Sequence, residues 1–167
     1  KQIENLIWAA RNGVPIVYLG GPSVGMESPV TGASGLVVFL AGALSGLAIA
    51  QLAQKGAPIM VGGVISAMDL RTARPSYGSP EMSLYVAAAT DLTRYLGLPF
   101  MGTAGASESK KLDTQAAIEA SVEILMSGLS GAGMVHDVGF LDCADIGSLE
   151  MLVMCDEIIS LVRRILR

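Results

Sequence analysis

The stretch Gly102-Thr-Ala-Gly-Ala-Ser-Glu-Ser-Lys-Lys-Leu-Asp-Thr-Gln-Ala-Ala-Ile-Glu119 decides the fold class. A short apolar strand, predicted over residues 98–101, runs into its turn of Gly, Ala, Ser and Thr. A helix with an acidic residue near its start follows the turn. Strand, polar loop and helix in this order form the unit by which an α/β protein delivers an active-site loop.

The same unit recurs along the chain. A helix is predicted over 1–12, strands over 15–19, 58–64, 98–101 and from 134, and further helices over 32–54, 79–95, 113–127 and 148–166. Units of roughly 35 to 40 residues predict parallel strands with right-handed crossovers. Loops after strands are long or glycine-rich and loops before strands are short, which is typical of a (β/α) barrel. We therefore predict an α/β fold in which residues 1–167 form four consecutive β/α units, about half of a (β/α)8 TIM-type barrel within a longer protein. The alternative is a complete doubly wound open sheet.

The composition narrows the class of protein. Lys and Arg number 11 against 15 Asp and Glu, a net charge of −4, and no run of Lys or Arg indicates a nucleic-acid track. The two cysteines, Cys143 and Cys155, and the single His136 make no zinc-ligand set, so no metal site is predicted. Two free thiols are typical of a protein in a reducing compartment, and Cys155 is expected to be buried. Residues 1–8 do not have the pattern of a signal peptide. We expect a cytoplasmic protein without a nucleic-acid partner.

Residues 28–54 contain no Asp, Glu, Lys or Arg. By length this segment can span a bilayer, and Gly42 and Gly46 have the small-xxx-small spacing of membrane helices. The competing interpretation is a helix buried inside a large protein or at a subunit interface. Three features favour burial. A loop-like segment precedes the helix, polar residues such as Ser and Gln interrupt the apolar run, and the helix lies between two predicted strands. We therefore predict no membrane partner, and expect a homo-oligomer.

Polar side chains concentrate in the four loops that follow the strands, residues 20–31, 64–79, 102–112 and 136–148. Because the carboxyl ends of parallel strands lie at one face, these loops are expected to meet there. The side chains gathered are those of Glu27, Asp69, Arg71, Arg74, Tyr77, Glu108, Lys110, Lys111, His136, Asp137, Phe140, Asp142 and Asp145. The helices carry little charge by comparison, so this face is the predicted site.

Several kinds of chemistry remain open from the residues alone. His136, beside Asp137, can bind a carboxylate, act as acid or base, or satisfy a hydrogen bond in a packed site. Lys110 or Lys111 can form a Schiff base as in barrel aldolases, or lie solvated near a helix start. The glycine-rich residues 20–25 lack the ending of a phosphate-binding P-loop and the spacing of a dinucleotide fingerprint.

Short motifs spread over nearly the whole chain carry a resemblance to a known family. They are Ser28-Pro29-Val30, Leu40-Ala41-Gly42-Ala43-Leu44, Ala50-Gln51-Leu52, Asp69-Leu70, Gly78-Ser79-Pro80-Glu81, Gly97-Leu98-Pro99, Ser107-Glu108-Ser109-Lys110, Asp113-Thr114-Gln115-Ala116 and Ser148-Leu149-Glu150. In their order and spacing the chain resembles the trimethylamine methyltransferase family of corrinoid-dependent enzymes. The resemblance implies a (β/α)8 barrel, of which this chain is a central portion. It also implies a corrinoid cofactor that is carried by a separate partner protein and is not bound tightly by this chain.

One residue departs from the trimethylamine enzymes of that family. Those enzymes carry pyrrolysine one residue before a Ser-Asp/Glu-x-Lys motif, and the corresponding position here is Ala106. A methyl side chain cannot replace the electrophilic ring of pyrrolysine. The chain is therefore similar to the branch without pyrrolysine, which demethylates quaternary amines of the betaine type such as glycine betaine, proline betaine or carnitine. Trimethylamine is the alternative substrate.

Resemblance and strand-end position together suggest candidate roles. A quaternary nitrogen is a good leaving group and a Co(I) corrin a strong nucleophile, so the protein need only align the N-methyl group and exclude water. The predicted catalytic residues are His136, facing the substrate carboxylate, and Glu108. Tyr77 and Phe140 are expected to flank the ammonium. Further predicted substrate-binding residues are Glu27, Ala106 and Ser107. The residues also leave open a Lys-dependent barrel aldolase or lyase, and a fragment without catalytic activity.

Overall fold

In the computed structural model, residues 1–167 form five helices and nine strands. The helices are α1 (Gln2–Arg11), α2 (Gly32–Ala53), α3 (Pro80–Tyr95), α4 (Thr114–Ser130) and α5 (Leu149–Ile165). The strands are β1 (Ile16–Leu19), β2 (Ser23–Val24), β3 (Ile59–Gly62), β4 (Ser66–Asp69), β5 (Arg74–Ser76), β6 (Phe100–Thr103), β7 (Met134–His136), β8 (Phe140–Leu141) and β9 (Ile146–Gly147). The predicted mixed α/β class with alternating strands and helices is confirmed.

Four of the strands form one parallel sheet in the order β1-β3-β6-β7, which confirms the predicted parallel strands. The spatial order follows the chain order without a reversal. A doubly wound sheet contains such a reversal, at which its helices change face. Consecutive helices also pack against one another, α1 on α2, α2 on α3, α3 on α4 and α4 on α5. The sheet is therefore wound in one direction, unlike a doubly wound sheet.

The helices begin where their first residues predict. Ser79 caps α3 by accepting a hydrogen bond from the Met82 amide, and Pro80 occupies the first helical position. Asp113 caps α4 in the same way, through the Ala116 amide. This helix continues to Ser130, beyond the predicted end at residue 127, because the chain reaches its left-handed glycine only at Gly131, where φ is +75°.

Five short strands lie in the loops and were not predicted. Strand β2 pairs in parallel with β4, and β4 pairs antiparallel with β5. Strands β8 and β9 form an antiparallel pair. Segments of two to four residues are too short for an alternating pattern to stand out in sequence. As a result, three of the four strand-end loops contain short strands.

The two faces of the parallel sheet differ. Toward the helices, the Tyr18 ring packs on Gly46 of α2, and the rings of Phe39 and Phe100 meet edge to face at 5.9 Å. Side chains alternate along a strand, so the next residues point to the other face. There Leu19, which is 51% exposed, and Met101 lie around Gly62. The helices thus cover one face of the sheet and leave the other open.

Helix α2 buries one stripe of its surface. The buried residues are Gly35, Phe39, Ala43, Gly46 and Ala50, spaced three or four apart. The helix has 22 residues and a mean hydropathy of 2.1 in its most apolar window, so length and composition would allow it to cross a membrane. Only 22% of that window is buried within this chain. Burial of the remaining surface by other protein stays a prediction.

The first and second strand-end loops touch through their backbones. A Cβ on Gly63 would lie 1.3 Å from the carbonyl oxygen of Gly20, and one on Gly21 would lie 1.8 Å from that of Val64. Only residues without a side chain allow this approach. The contact fixes the carboxyl ends of β1 and β3 against each other.

Candidate functional site

His136 ends β7 and is held on both ring nitrogens. Its Nε2 lies 3.1 Å from the hydroxyl of Thr103, its register partner on β6. Its Nδ1 lies 2.8 Å from a carboxylate oxygen of Asp137, and both of these side chains are 19% exposed. Asp137 has a φ of +68°, in the left-handed region that few non-glycine residues adopt. This geometry fixes the orientation of the imidazole at the end of the sheet.

Glu119, on the second turn of α4, organises the third loop. Its Oε2 accepts hydrogen bonds from the Ser107 hydroxyl at 2.5 Å and from the Glu108 amide at 2.9 Å. Its Oε1 accepts from the Gln115 side chain at 2.9 Å. A Cβ on Gly78 would lie 2.3 Å from the Glu119 carboxyl carbon, so the second loop rests directly on this carboxylate. The predicted residues Ser107 and Glu108 are therefore both anchored by Glu119.

Ala106 is fully buried between two loops and helix α4. Its amide donates to Oε2 of Glu123 at 3.0 Å, and its backbone forms a parallel β-bridge with Phe140. The next amide, that of Ser107, donates to the Phe140 carbonyl at 3.0 Å. The structure thus brings together Ala106, Ser107 and Phe140, three of the predicted substrate-binding residues.

Glu123 is the most deeply buried carboxyl group of this face, with 3% of its surface exposed. Its second oxygen, Oε1, is buried without a hydrogen-bond partner. Burial raises the pKa of Glu123 to about 8, the charges of Glu119 and Asp137 add to this, and the amides of Ala106 and Gly105 oppose it. At neutral pH the group is therefore predominantly protonated.

Tyr77 precedes α3 and is half-buried at the same face. Burial raises its pKa to about 12, and the negative charges of Asp137 and, more weakly, Glu123 act in the same direction. The phenol is therefore neutral, and Tyr77 packs against the hydrophobic core cluster that includes Ile65 and Met82. Tyr77, Ala106 and His136 all lie in loops or strand ends at the carboxyl edge of the parallel sheet.

An arginine ties the second loop to the fourth. Arg74 donates to a carboxylate oxygen and to the carbonyl of Asp142, both at 3.1 Å, and also pairs with Asp145. The left-handed turn beneath it has φ angles of +50°, +57° and +70° at Asp142, Cys143 and Ala144. The Cys143 amide donates to the Ser107 carbonyl at 3.1 Å, so this turn also rests on the third loop.

Glu27 stands apart from this group. It is exposed, and its carboxylate accepts a hydrogen bond from the Ser23 amide of its own loop at 2.9 Å. No hydrogen bond or ion pair joins it to another predicted site residue. Lys110 and Lys111 are also exposed, and neither side chain forms an ion pair.

The charge of this face is unbalanced. Arg74 is committed to Asp142 and Asp145, whereas Glu108, Glu119 and Asp137 have no Lys or Arg partner. The charges of Glu119 and Asp137 both act on Glu123, so negative charge is concentrated around that residue. Arg71, Lys110 and Lys111 are exposed in neighbouring loops. No group of three His, Cys, Asp or Glu side chains is arranged to hold a metal ion.

The sequence analysis did not identify Glu119 and Glu123, the two glutamates of α4 whose carboxyl groups hold the third loop. Glu119 and Glu123 were overlooked because they lie in a helix rather than in a strand-end loop. Their spacing of four residues on an otherwise largely apolar helix was a usable signal, since it places both on one side of α4. Buried Cys155 was predicted correctly, and its thiol donates to the Gly105 carbonyl at 3.6 Å.

Comparison with known proteins identifies relatives over the whole chain. The family model described as trimethylamine methyltransferase (MTTB) matches residues 1–167. A trimethylamine methyltransferase MttB of Methanosarcina thermophila is 35% identical over 159 residues, covering 95% of this chain and 33% of the relative. A glycine betaine methyltransferase of Desulfitobacterium hafniense (strain Y51) is 29% identical over 163 residues, covering 97% of this chain and 34% of the relative. The chain thus spans about a third of the length of these curated relatives.

Proposed function

The chain belongs to the trimethylamine methyltransferase family, and on that premise we propose that it forms part of an enzyme that moves a methyl group from a quaternary amine of the betaine type to the Co(I) centre of a corrinoid protein. The four parallel strands in chain order, with helices on one face, support assignment as about half of a (β/α)8 barrel. The enzyme is proposed to be a cytoplasmic homo-oligomer.

The observation that carries the substrate proposal is the environment of Ala106. This residue lies at the position where the family's trimethylamine enzymes are expected to carry pyrrolysine. Here it is a buried methyl group whose amide is fixed by Glu123 and whose backbone pairs with Phe140. Such a side chain supplies no electrophile that could activate the amine. The amine nitrogen of the substrate must therefore be a good leaving group by itself. A quaternary ammonium has that property already.

The surrounding side chains suit such a cation. The half-buried ring of Tyr77, which also packs against the core, is assigned to one flank of the ammonium. The charge of Asp137 acts on Tyr77, and those of Glu119 and Asp137 act on Glu123, so both carboxylates supply negative charge to this region. Phe140 is assigned the opposite flank. The carboxylate of a betaine is assigned to His136, where one of its oxygens would take the place of the Thr103 hydroxyl at Nε2. Glu108, the other predicted catalytic residue, is assigned to the edge of the amine site, where the third strand-end loop meets it.

A Co(I) corrin would supply the electron pair for the bond to the transferred methyl group, and the amine would keep the pair of the broken carbon–nitrogen bond. The part of Tyr77, Phe140 and His136 is to hold the amine in position. In this proposal a partner protein holds the corrin and docks at the strand ends, while this chain orients the amine and excludes water.

Trimethylamine is the second candidate substrate. It is favoured by the names of relatives at 35% identity, which exceeds the 29% of the betaine enzyme. Sequence identity over the whole segment indicates a shared fold rather than a shared substrate. The residue at position 106 is therefore the stronger indicator of the substrate. Aldolase chemistry is disfavoured, because a Schiff-base lysine is activated by desolvation, whereas Lys110 and Lys111 are exposed.

The test is methylation of Co(I) corrinoid by the full-length protein, with glycine betaine, proline betaine, carnitine and trimethylamine as separate donors. Formation of the methylated corrinoid is followed by absorbance. Turnover with a quaternary amine and none with trimethylamine supports the proposal. Turnover with trimethylamine alone selects the second candidate, and no methylation by any donor rejects both.

Matched variants test the aromatic contact. Tyr77→Phe keeps the ring and removes only the hydroxyl, so KM for the amine should change less than about threefold. Tyr77→Ala removes the ring and should raise KM roughly five- to thirtyfold, the value of a desolvated cation–π contact. Tyr95→Ala is the control, because that tyrosine is 88% exposed at the end of α3. Equal KM values for all four proteins would remove Tyr77 from the binding site.

A further inference from the structure

Glu123 is a buried acidic group to which the proposed chemistry assigns no role. We propose that it is a positioning residue, which holds the Gly105–Ala106 turn of the third loop in place as a neutral carboxylic acid. This inference rests on the proposed function only for its effect on methyl transfer. The hold on the turn is a property of the fold and can be measured without a substrate.

The turn is held from three sides. From α4, Oε2 of Glu123 accepts the Ala106 amide at 3.0 Å. From α5, the Cys155 thiol donates to the Gly105 carbonyl at 3.6 Å. From the fourth loop, the Gly139 amide donates to that same carbonyl at 3.0 Å. Of these three contacts, only the one from Glu123 reaches the amide of Ala106 itself.

A side chain at Gly105 would be strained, because φ there is +81°. A Cβ would also crowd the Val138 backbone at 3.3 Å, while the Cys155 sulfur at 3.5 Å would be in ordinary contact. The turn is thus a left-handed backbone segment packed on α5 and the fourth loop. A small displacement would carry Ala106 and its bridge to Phe140 with it. Fixing this turn therefore fixes the floor of the proposed amine site.

Burial, together with the charges of Glu119 and Asp137, favours the neutral form of Glu123 and outweighs the opposing effect of the Ala106 and Gly105 amides. No Lys, Arg or His forms an ion pair with it, although its side chain is almost entirely buried. An isolated buried carboxylate is expensive, and the group avoids that cost by keeping its proton. The titratable groups around it are Glu119 on α4, Asp137 after β7, Tyr77 before α3 and Cys155 on α5. None of them supplies a positive charge.

Two substitutions test whether Glu123 accepts the Ala106 amide as a neutral group or as a carboxylate. Glu123→Gln has the shape of the protonated acid, with an oxygen that can accept the Ala106 amide and a donor in place of the acid hydroxyl. Glu123→Ala removes the acceptor altogether. Ser127→Ala is the control, because Ser127 lies one turn further along α4 and its hydroxyl is buried without a partner.

Hydrogen exchange at the Ala106 amide is the first readout, measured on the folded full-length protein at pH 7. Glu123→Ala should accelerate exchange at this amide about tenfold or more, since it loses a buried hydrogen bond. Glu123→Gln and Ser127→Ala should stay within about threefold of the parent. Unchanged exchange in Glu123→Ala, or equally fast exchange in Glu123→Gln, would overturn the proposal.

Infrared spectroscopy is the second readout. At pH 7 the parent should show the carbonyl band of a protonated carboxyl group, and Glu123→Gln should lack it. A parent spectrum with ionised carboxylates alone would refute the neutral state. Both readouts stand whether or not the protein transfers methyl groups.

Kinetics then connect the turn to the proposed reaction. With the quaternary amine, Glu123→Ala should lower kcat about tenfold or more with a smaller change in KM, because misalignment affects the transition state most. Glu123→Gln should restore most of that rate at pH 7. If the parent has no methyl-transfer activity, the proposed function fails while the exchange data still decide the role of Glu123. If the parent is active and Glu123→Ala keeps its kcat, the positioning role in catalysis is refuted.

Discussion

The guanidinium of Arg74 donates to the carboxylate of Asp142 at 3.1 Å, across 68 positions of sequence. Arg74 begins β5 within the second strand-end loop, and Asp142 lies in the left-handed turn of the fourth loop. The third loop is joined to the same turn, because the amide of Cys143 donates to the carbonyl of Ser107. The Arg74–Asp142 ion pair and the Cys143–Ser107 hydrogen bond together link the second, third and fourth strand-end loops.

Replacing Arg74 by alanine should loosen the fourth loop. The variant loses hydrogen bonds to the carboxylate and carbonyl of Asp142 and the pairing with Asp145. Since Arg74 is 38% exposed, screening reduces the loss to about 1–2 kcal/mol in the free energy of unfolding. Denaturant titration measures it, and hydrogen exchange should rise over residues 142–145. Arg71→Ala is the control, being exposed in the same loop, and an equal loss there would contradict the assignment.

Alanine at Gly63 should be far more damaging than alanine at Gly42. At Gly63 the added Cβ would meet the Gly20 carbonyl oxygen at 1.3 Å, and φ is +151°. Backbone cannot yield as a flexible side chain does, so we expect a loss of about 3 kcal/mol or more, or failure to fold. At Gly42, on the exposed part of α2, nothing lies within 4 Å, and alanine should stabilise by about 0.5–1 kcal/mol. Similar thermal midpoints for the two variants would contradict the close approach.

Alanine at Gly78 should act through Glu119. The Cβ would displace the Glu119 carboxylate, which then releases the Ser107 hydroxyl and the Glu108 amide, at a cost of about 1–2 kcal/mol. In a Glu119→Ala background that carboxylate is absent, so the same change at Gly78 should cost much less. A double-mutant cycle by denaturant unfolding measures the coupling. Additive effects would mean that the two residues do not act through this contact.

The architecture was readable from the sequence where signals are local. Ser79 and Asp113 cap their helices as their residue types predict, and Gly131 ends α4 through its left-handed backbone. The parallel order of four strands followed from the repeat of strand, loop and helix, since chirality leaves few ways to connect such units. The helix ends depend on residues within a few positions of one another, and the strand order depends on the repeat of whole units.

The contacts between the loops of the site could not be predicted in the same way. The bridge from Arg74 to Asp142 and the support of Ala106 by Glu123 join residues 68 and 17 positions apart. Such contacts depend on how loops of irregular backbone fold over one another, which no period in the sequence encodes. Glu27 illustrates the converse, because a strand-end position alone did not bring its side chain to the others.

The pH dependence of stability tests the state of Glu123 directly. Its pKa is about 8 in the folded protein and about 4.3 in an unfolded chain, so between these values the folded state holds the extra proton. The free energy of unfolding should therefore fall as pH rises through this window, by up to about 1.4 kcal/mol per pH unit from this group, and level off above pH 8. The lowered pKa values of Asp69, Asp113 and Glu150 act at acid pH, below the window. The raised pKa values of Tyr77, Cys143 and Cys155 act above it.

Comparison with Glu123→Gln isolates this contribution, because glutamine does not titrate. The difference in unfolding free energy between parent and Glu123→Gln should shift steadily in favour of the variant from about pH 5 to about pH 8. The curve of Ser127→Ala should run parallel to that of the parent, since it keeps the acid. Denaturant unfolding at half-unit pH intervals gives all three curves. A parent–Gln difference that does not vary across this range would show that Glu123 ionises normally and that burial does not hold its proton.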